Sequence, residues 1–478
     1  MLSPDTPVGA VIFNAKEAFN FKALKQRLED FAKQTAELGL REHVGEKSIG
    51  LWRRFETTSL VADCVYGRVE DAKNLIKLLT KVDDRLSVIP LIELYWIPRL
   101  PQIQNLVLIE CDQAILETVE DLISLEKLLL HKVLQLKHLP NELFHRLTAL
   151  GDLEIGKCDE LSSLFNQFGL LRDPCLKTLK IWECSLNLLW PEEEYGLPHL
   201  LESLEISDCK NLISLPEKLH SLKSLKTLKI INCPCLVALP EMDAPSNLRH
   251  LQIKGCEALQ SLPKGLMHNE NLSLEVLEIE GCSSLKCFTE GELPLTLQKL
   301  KISNCSNLNV LPEGLLSKNT SLESLQISGC SLTSFPVICP SPSKSFAPSS
   351  SSSNSSPRLK VLEVRDCINL ESLPVGLHNF IHLDTLLISN CSILESFPVG
   401  GLPPNLATLS ISRCENLQAL PDGMYTNTLL QDLTIRDCTS LTLYPEGGLP
   451  PNLQSLRIIR CSNLNHPSEW DLYKLRNR

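Results

Sequence analysis

The chain has 478 residues, a formal net charge of −11 and few aromatic residues. Such a chain lacks the positive field that attracts nucleic acid or an anionic membrane surface, so we expect neither of these partners. Nineteen cysteines spread over so long a chain favour free thiols over a disulfide scaffold. The N-terminus lacks the basic start and apolar run of a secretory signal, and no apolar stretch is as long as a membrane span. These features together predict a cytoplasmic protein.

Residues 1–40 contain one short helical pattern. Its apolar residues follow a 3-4 spacing at Phe21, Leu24, Leu28, Phe31 and Leu38. Residues 41–64 have the composition of a polar linker, and a second helix is predicted from about Glu70 to Thr80. The run RLSVIPL, Arg85–Leu91, is typical of a buried parallel strand. We therefore expect a mainly helical segment that ends in one strand.

Residues 92–478 consist of short repeats, most of which carry a cysteine. Thirteen cysteines from Cys158 to Cys461 recur at steps of 23–26 residues, apart from one step of 37. Each lies in the pattern L-x-x-L-x-I-x-x-C-x-x-L-x-x-L-P, as in the unit Leu201–Pro216. This is the leucine-rich-repeat pattern, and two earlier units around Cys111 and Val133 bring the count to fifteen. The sequence predicts an α/β leucine-rich-repeat solenoid of about fifteen repeats, with a parallel sheet on its concave face.

The recurring cysteine is interpreted as a structural residue. A small apolar side chain with a weak S–H donor suits the point where the chain leaves the strand and turns inward. Zinc binding is the alternative, and it depends on the closely spaced pair Cys233 and Cys235, whose separation is one residue shorter than zinc sites usually need. The run GDLEIGKC, Gly151–Cys158, matches a phosphate-loop spacing, but its apolar residues belong to a repeat strand and predict no nucleotide site.

The step of 37 residues contains a Ser- and Pro-rich insertion at residues 339–357. This composition cannot bury apolar surface, so we expect a loop between two coils and an array that continues beyond it.

Residues beside the inward Leu and Ile of each strand are predicted to point outward and to stack into two columns. Because these side chains vary while the repeat frame does not, we expect them to bind a partner, with Trp182 as an anchor. The first column holds Lys180, Glu205, Lys229, Gln252, Glu278, Lys301, Gln326, Glu363 and, at the far end, Arg457, and the second holds Trp182, Lys254, Glu280, Arg365 and Arg436.

The run from Leu24 to Pro90 is similar to the end of the coiled coil, the linker and the opening strand of the nucleotide-binding domain in plant intracellular disease-resistance receptors. Tyr66, Gly67 and Arg68 match the start of that nucleotide-binding domain, and the cysteine-bearing repeats resemble the C-terminal repeats of the same receptors. The resemblance implies a helical segment at 1–40, a linker and vestigial nucleotide-binding start at 41–91, and a repeat domain at 92–478. After Pro90, the family's Gly-rich phosphate loop is replaced by a repeat. The resemblance therefore implies a truncated receptor that acts in plant defence and binds no nucleotide or other cofactor.

The sequence features bear on three classes of function. The leading hypothesis is a non-enzymatic recognition module that binds a protein ligand on its concave face: a pathogen protein, a host target or a full-length receptor. The alternative is a secreted or cell-surface leucine-rich-repeat inhibitor or ectodomain. Glycosylation would suit that alternative, and Asn-x-Ser/Thr sites occur at Asn271, Asn304, Asn319, Asn354 and Asn390. An enzyme is not expected, because no catalytic constellation stands apart from the repeat frame.

Overall fold

The structure is a computed structural model, and the chain divides into two compact units, Met1–Trp96 and Ile97–Arg478. The residues that it describes are 87–88, 103–119, 122–140, 143–164, 175–189, 198–240, 247–268, 273–288, 293–316, 321–336, 357–443, 445 and 448–464. In the first unit these include one short strand, β1 (Ser87–Val88), which lies within the predicted strand Arg85–Leu91. Both predicted helices, the linker and the resemblance at Tyr66–Arg68 lie outside the described residues.

The second unit contains one parallel sheet of fifteen strands, each five residues long. Each strand pairs with the next one along the chain, residue for residue, as Leu204 of one strand does with Leu228 of the next. The prediction of a leucine-rich-repeat solenoid with about fifteen repeats is thus confirmed. The strands are β2 (Asn105–Ile109), β3 (Lys127–His131), β4 (Asp152–Gly156), β5 (Thr178–Trp182), β6 (Ser203–Ser207), β7 (Thr227–Ile231), β8 (His250–Lys254), β9 (Val276–Glu280), β10 (Lys299–Ser303), β11 (Ser324–Ser328), β12 (Val361–Arg365), β13 (Thr385–Ser389), β14 (Thr408–Ser412), β15 (Asp432–Arg436) and β16 (Ser455–Ile459).

The core is a stack of leucines and isoleucines from successive coils. In β6, Leu204 and Ile206 are fully buried while the three residues beside them are half-buried, and the same alternation recurs from β2 to β15. A side-chain period of two places these residues on one face, and stacking removes them from water at roughly 2 kcal/mol per side chain. In β16 the alternation is lost, because Ile458 retains 36% of its exposure. The coil that contains β16 therefore buries its apolar side chains less completely than the other coils do.

Every strand of this sheet is followed by one residue with a left-handed backbone, directly before the cysteine position. The φ angles there lie between 50° and 65°. The amide of this residue extends the ladder by one bond, as in Asp208, whose N–H donates to the Ile231 carbonyl at 2.8 Å. Glycine, asparagine and aspartate adopt this conformation readily, whereas longer side chains are strained in it. The residues are Glu110, Lys132, Lys157, Glu183, Asp208, Asn232, Gly255, Gly281, Asn304, Gly329, Asp366, Asn390, Arg413, Asp437 and Arg460.

Helices in the described residues are short, so the α/β class rests mainly on the sheet. The α-helices are α1 (Ile115–Val119), α2 (Leu143–Arg146) and α3 (Lys264–His268), and the 3₁₀ helices span Glu217–Ser221, Leu377–Asn379 and Met424–Thr426. Repeats of this length leave few residues for the return path, which explains the single turns. None of the helices in the described part has the length and hydrophobicity that a bilayer crossing requires.

The solenoid continues across the Ser- and Pro-rich insertion. Leu325 of β11 pairs with Leu362 of β12, and the register of both strands is the same as in every other neighbouring pair. The insertion itself lies almost wholly outside the described residues. Its two ends therefore join consecutive coils of one array, as the sequence predicted.

Candidate functional site

The face of the sheet that points away from the core is called the open face. It is formed by the first, third and fifth residues of each strand, and the parallel register aligns each of these positions into a column. The third residues form the central column and the fifth residues form the end column. The structure places every predicted site residue in these two columns, where each is half-buried or exposed. Their role in binding stays a prediction.

From β4 to β10 the charged residues of the open face are largely paired with one another; this stretch is called the paired region. Lys180 Nζ lies 4.0 Å from Glu154, and Lys229 Nζ lies 3.9 Å from Glu205, both along the central column. In the end column, Lys254 Nζ lies 3.2 Å from Glu280. Neighbouring strands thus neutralise each other's charge, so these side chains are less available to a partner than their exposure suggests.

Glu278 is the most heavily bonded residue of the paired region. Its carboxylate accepts hydrogen bonds from Lys299 Nζ at 2.7 Å and from Gln252 Nε2 at 2.9 Å. Burial opposes ionisation of this carboxyl group, but the bond from Lys299 and the surrounding positive charge outweigh it and hold the pKa of Glu278 below its ordinary value. His250 Nε2 lies 4.0 Å away, and burial lowers the pKa of this imidazole. Glu278 of β9 therefore links the neighbouring strands β8 and β10 across the open face.

Trp182 does not project freely from the sheet. Its indole lies over Gly156 of the neighbouring strand, so closely that a Cβ at position 156 would overlap the ring. The ring of His131 lies at a centroid distance of 6.4 Å, tilted by 34°. The indole is half-buried, and the expected large exposed aromatic surface is reduced accordingly. Only glycine at position 156 permits this arrangement.

A shallow cavity of about 230 Å³ adjoins the Trp182 indole on the open face. It is smaller than the sites that bind drug-sized molecules. Its lining combines one aromatic ring with charged and hydroxyl groups, namely Glu154, Lys180, Ile181, Trp182, Glu205 and Ser207.

From β13 to β16 the open face has a different character; together with Arg413 and Arg460 this stretch is called the arginine region. Its central column continues with Leu387, Ser410 and Thr434 before it reaches Arg457. In its end column, Ser412 Oγ donates to Ser389 Oγ at 2.9 Å. The sequence did not single out Arg413 and Arg460, because they occupy the left-handed position and not a strand. The signal that could have found them is an arginine where most coils have Asn, Asp or Gly.

The ladder cysteines are buried, and their thiols contact the backbone. The Cys209 Sγ donates to the Ser207 carbonyl at 3.4 Å, and the same i to i−2 contact recurs in other coils. Burial raises the pKa of Cys209 and Cys256 to about 11, which keeps both thiols protonated and unreactive. The structural interpretation of these residues is confirmed, except that Cys461 in the last coil is half-exposed.

The proposed cysteine pair for zinc is divided by the fold. Cys233 is buried in the ladder, whereas Cys235 is exposed. Within the described ranges, no three His, Cys, Asp or Glu side chains come together in a way that could hold a metal ion. The run Gly151–Cys158 contains strand β4, as predicted, and so does not form a phosphate-binding loop.

Comparison with known proteins gives local similarities in sequence. No family model matches the chain. A putative disease resistance RPP13-like protein 1 from Arabidopsis thaliana is 31% identical over 121 residues, which cover 24% of this chain and 11% of that protein. Disease resistance protein RPP5 from the same plant is 36% identical over 63 residues, or 13% of this chain and 4% of that protein. The chain thus spans about a tenth or less of the length of these curated relatives.

Solved structures give distant matches. A leucine-rich-repeat protein of Leptospira interrogans, LIC12759, is 18% identical, with a TM-score of 0.36 and coverage of 82% of this chain and 92% of that one. YopM from Yersinia enterocolitica is 24% identical, with a TM-score of 0.34 and coverage of 70% and 69%. The fold is established by the strands and register described above. The chain is a leucine-rich-repeat protein with weak, local sequence similarity to plant disease-resistance proteins.

Proposed function

We propose that this protein is a non-enzymatic recognition module of plant defence that binds a protein ligand on the open face of its sheet. The observation that carries the proposal is the open face itself: a continuous surface of fifteen strands in register, with varied side chains above a core of Leu, Ile and Val. Solenoids of this kind use their sheet for extended protein contacts. The similarity to disease-resistance proteins supports the defence role.

The cavity beside Trp182 is the proposed anchor point. A half-buried indole held flat on Gly156 is pre-organised, so little conformational entropy is lost when a partner side chain packs against it. Aromatic residues in such settings contribute a large share of interface energy. We expect the partner to be a pathogen protein, a host target or a full-length receptor.

A reducing, cytoplasmic location is part of the proposal. All cysteines that the structure describes have free thiols, which suits a compartment where disulfides are rare. Asn390, one of the possible glycosylation sites, uses its Nδ2 to bond Asp366 at 2.8 Å, and a glycan on that nitrogen would disturb the contact. Both observations favour the intracellular role over a secreted inhibitor. Because no phosphate loop follows Pro90, we expect binding to sequester or modulate the partner without nucleotide.

The test is quantitative capture of partners from pathogen-challenged leaf tissue that expresses the tagged chain. The variant Trp182→Ala removes the indole, and Gly156→Ala displaces it because the added Cβ overlaps the ring. Gly151→Ala is the matched control, since its Cβ would meet only the Glu126 carbonyl oxygen at 3.9 Å. We expect a partner that is retained by the control and lost with both other variants. A partner set that is identical for all three variants would refute the proposed anchor.

A further inference from the structure

We propose that the arginine region binds an acidic segment of a protein partner. The inference rests on the proposed function, because it uses the same open face. It adds a second contact area on that face, eight or more strands away from Trp182. It also specifies that the segment bound there is acidic.

The first support is unbalanced positive charge on three adjacent strands of an acidic protein. Asp437 contacts both Arg436, at 3.3 Å from Nε, and Arg460, at 2.5 Å from Nε, so one carboxylate is shared by two guanidinium groups. The side chains of Arg413 and Arg457 form no ion pair or side-chain hydrogen bond with any residue that the structure describes. Both are exposed. Exposed guanidinium groups without an ionic partner are suited to bidentate contacts with carboxylates.

The second support is the surface between these arginines. Ser389, Ser410, Ser412 and Thr434 are half-buried and provide a floor of hydroxyl groups without a carboxylate in the central or end column. In the column of first residues β15 contributes Asp432, so the four arginines of β14 to β16 and their turns still outnumber Asp432 and Asp437. Adjacent strands lie about 4.8 Å apart, so β14 and β16 are separated by roughly 10 Å. An extended peptide with carboxylates three residues apart covers about the same distance. The spacing fits a short acidic segment that crosses the strands.

The third support is the backbone cost of Arg413. Its φ is 53°, and coils on either side place Asn390 and Asp437 at the same position. An arginine there is strained, whereas glycine adopts the same backbone angles without a steric cost. Other charged residues at this position have side-chain partners: Lys132 forms an ion pair with Glu110 at 2.7 Å, and Asp366 accepts a hydrogen bond from Asn390 at 2.8 Å. Strain without a compensating contact in the free protein is a reason to seek a role in binding.

Nucleic acid and anionic lipid are less suitable occupants than a protein segment. The chain carries a net charge of −11, which repels an extended polyanion outside the patch itself. The two columns of the arginine region contain no aromatic residue on which a base could stack. A short acidic segment contacts the positively charged arginine region without reaching the rest of the protein, whose net charge is negative.

The experiment uses the full chain and a fluorescein-labelled octapeptide of glutamate and serine, followed by fluorescence anisotropy at low salt. We expect saturable binding that weakens strongly at ~0.5 M salt, because the contacts are exposed. The double variant Arg413→Glu/Arg457→Glu should bind the peptide at least about tenfold more weakly, as expected for the loss of two favourable charge contacts and the gain of two repulsive ones. Hydrogen exchange of β14–β16 checks that the variant is folded.

The matched control is Lys223→Glu/Lys286→Glu, which changes the net charge by the same amount at two exposed lysines outside the open face. We expect it to bind the peptide within about twofold of the wild type, a difference of roughly 0.4 kcal/mol. Equal weakening in both double variants, no binding by the wild type, or equally tight binding of single-stranded RNA or anionic vesicles would overturn the proposal. Failure of the Trp182 capture test with intact peptide binding would instead count against the anchor alone.

Discussion

Strand β8 of the paired region and strand β14 of the arginine region have the same backbone and the same buried positions, but the charges on their open face are arranged differently. Ile253 in β8 and Ile411 in β14 are both fully buried at equivalent positions. Above them, Lys254 is paired with Glu280, whereas Arg413 has no ionic partner in the described part of the chain. This difference shows that the repeat core determines where the side chains of the open face point but does not determine their charge. The charge of the open face can therefore change along one solenoid while the buried strand positions from β2 to β15 stay the same.

The largest effect should come from the shared core. Ile253→Ala and Ile411→Ala each remove a fully buried side chain, so each should lower the local free energy of unfolding by about 3 kcal/mol. Hydrogen exchange of the strand amides measures this coil by coil, which avoids the assumption of two-state unfolding in a repeat array.

The control for the core prediction is Ile458→Ala in the last coil. Because Ile458 is 36% exposed, we expect a loss of only about 1 kcal/mol. If the losses at Ile253 and Ile411 differ by more than about 1 kcal/mol, the two regions do not share an equivalent core.

A smaller effect is expected at the cysteine ladder. Cys256→Ser and Cys414→Ser each place a more polar group at a fully buried position, and should cost about 1–3 kcal/mol in either region. In the wild-type protein, thiol-specific labelling should be slow at Cys256 and fast at Cys287, which is exposed. Equal labelling rates at Cys256 and Cys287 would show that the ladder is accessible.

The repeat frame was predictable because it depends on side-chain period alone. Leu, Ile and Cys at fixed offsets determine which residues face inward, and the columns follow from the parallel register. The contacts on the open face were not predictable, because they depend on residues some 25 positions apart. Nothing local to Glu278 shows that Gln252 and Lys299 bond to it, and nothing local to Trp182 shows that Gly156 lies beneath it.

The bonded state of Glu278 gives a prediction for the paired region. Glu278→Gln removes the charge that Lys299 and Gln252 contact, and should cost about 1 kcal/mol. The pKa of Glu278 is lowered in the folded protein, so its contribution is present above the ordinary carboxyl pKa of 4.5 and is lost as pH falls through the folded value. Hydrogen exchange of β9 between neutral and acidic pH should show that the variant loses less protection than the wild type.

The control for this prediction is the double variant Glu205→Lys/Lys229→Glu. The two residues are paired at 3.9 Å and exchange roles in the double variant, so protection of β6 and β7 should change by less than about 0.5 kcal/mol. A loss as large as that of Glu278→Gln would mean that longer-range charges, not local pairs, stabilise the paired region.

The last effect has the opposite sign and compares the two regions at the left-handed position. Arg413→Gly relieves strain at φ 53° and should stabilise its coil by about 1 kcal/mol. Lys157, directly after β4, occupies the same position, and Lys157→Gly relieves similar strain. This variant also removes an exposed ion pair to Glu183 at 3.6 Å, so its gain should be smaller, about 0.5 kcal/mol. Hydrogen exchange measures both gains, and the acidic peptide should bind more weakly only to the Arg413 variant. If Arg413→Gly instead destabilised the coil, the arginine would have a stabilising role in the free protein. Backbone strain at Arg413 would then be no sign of a role in binding.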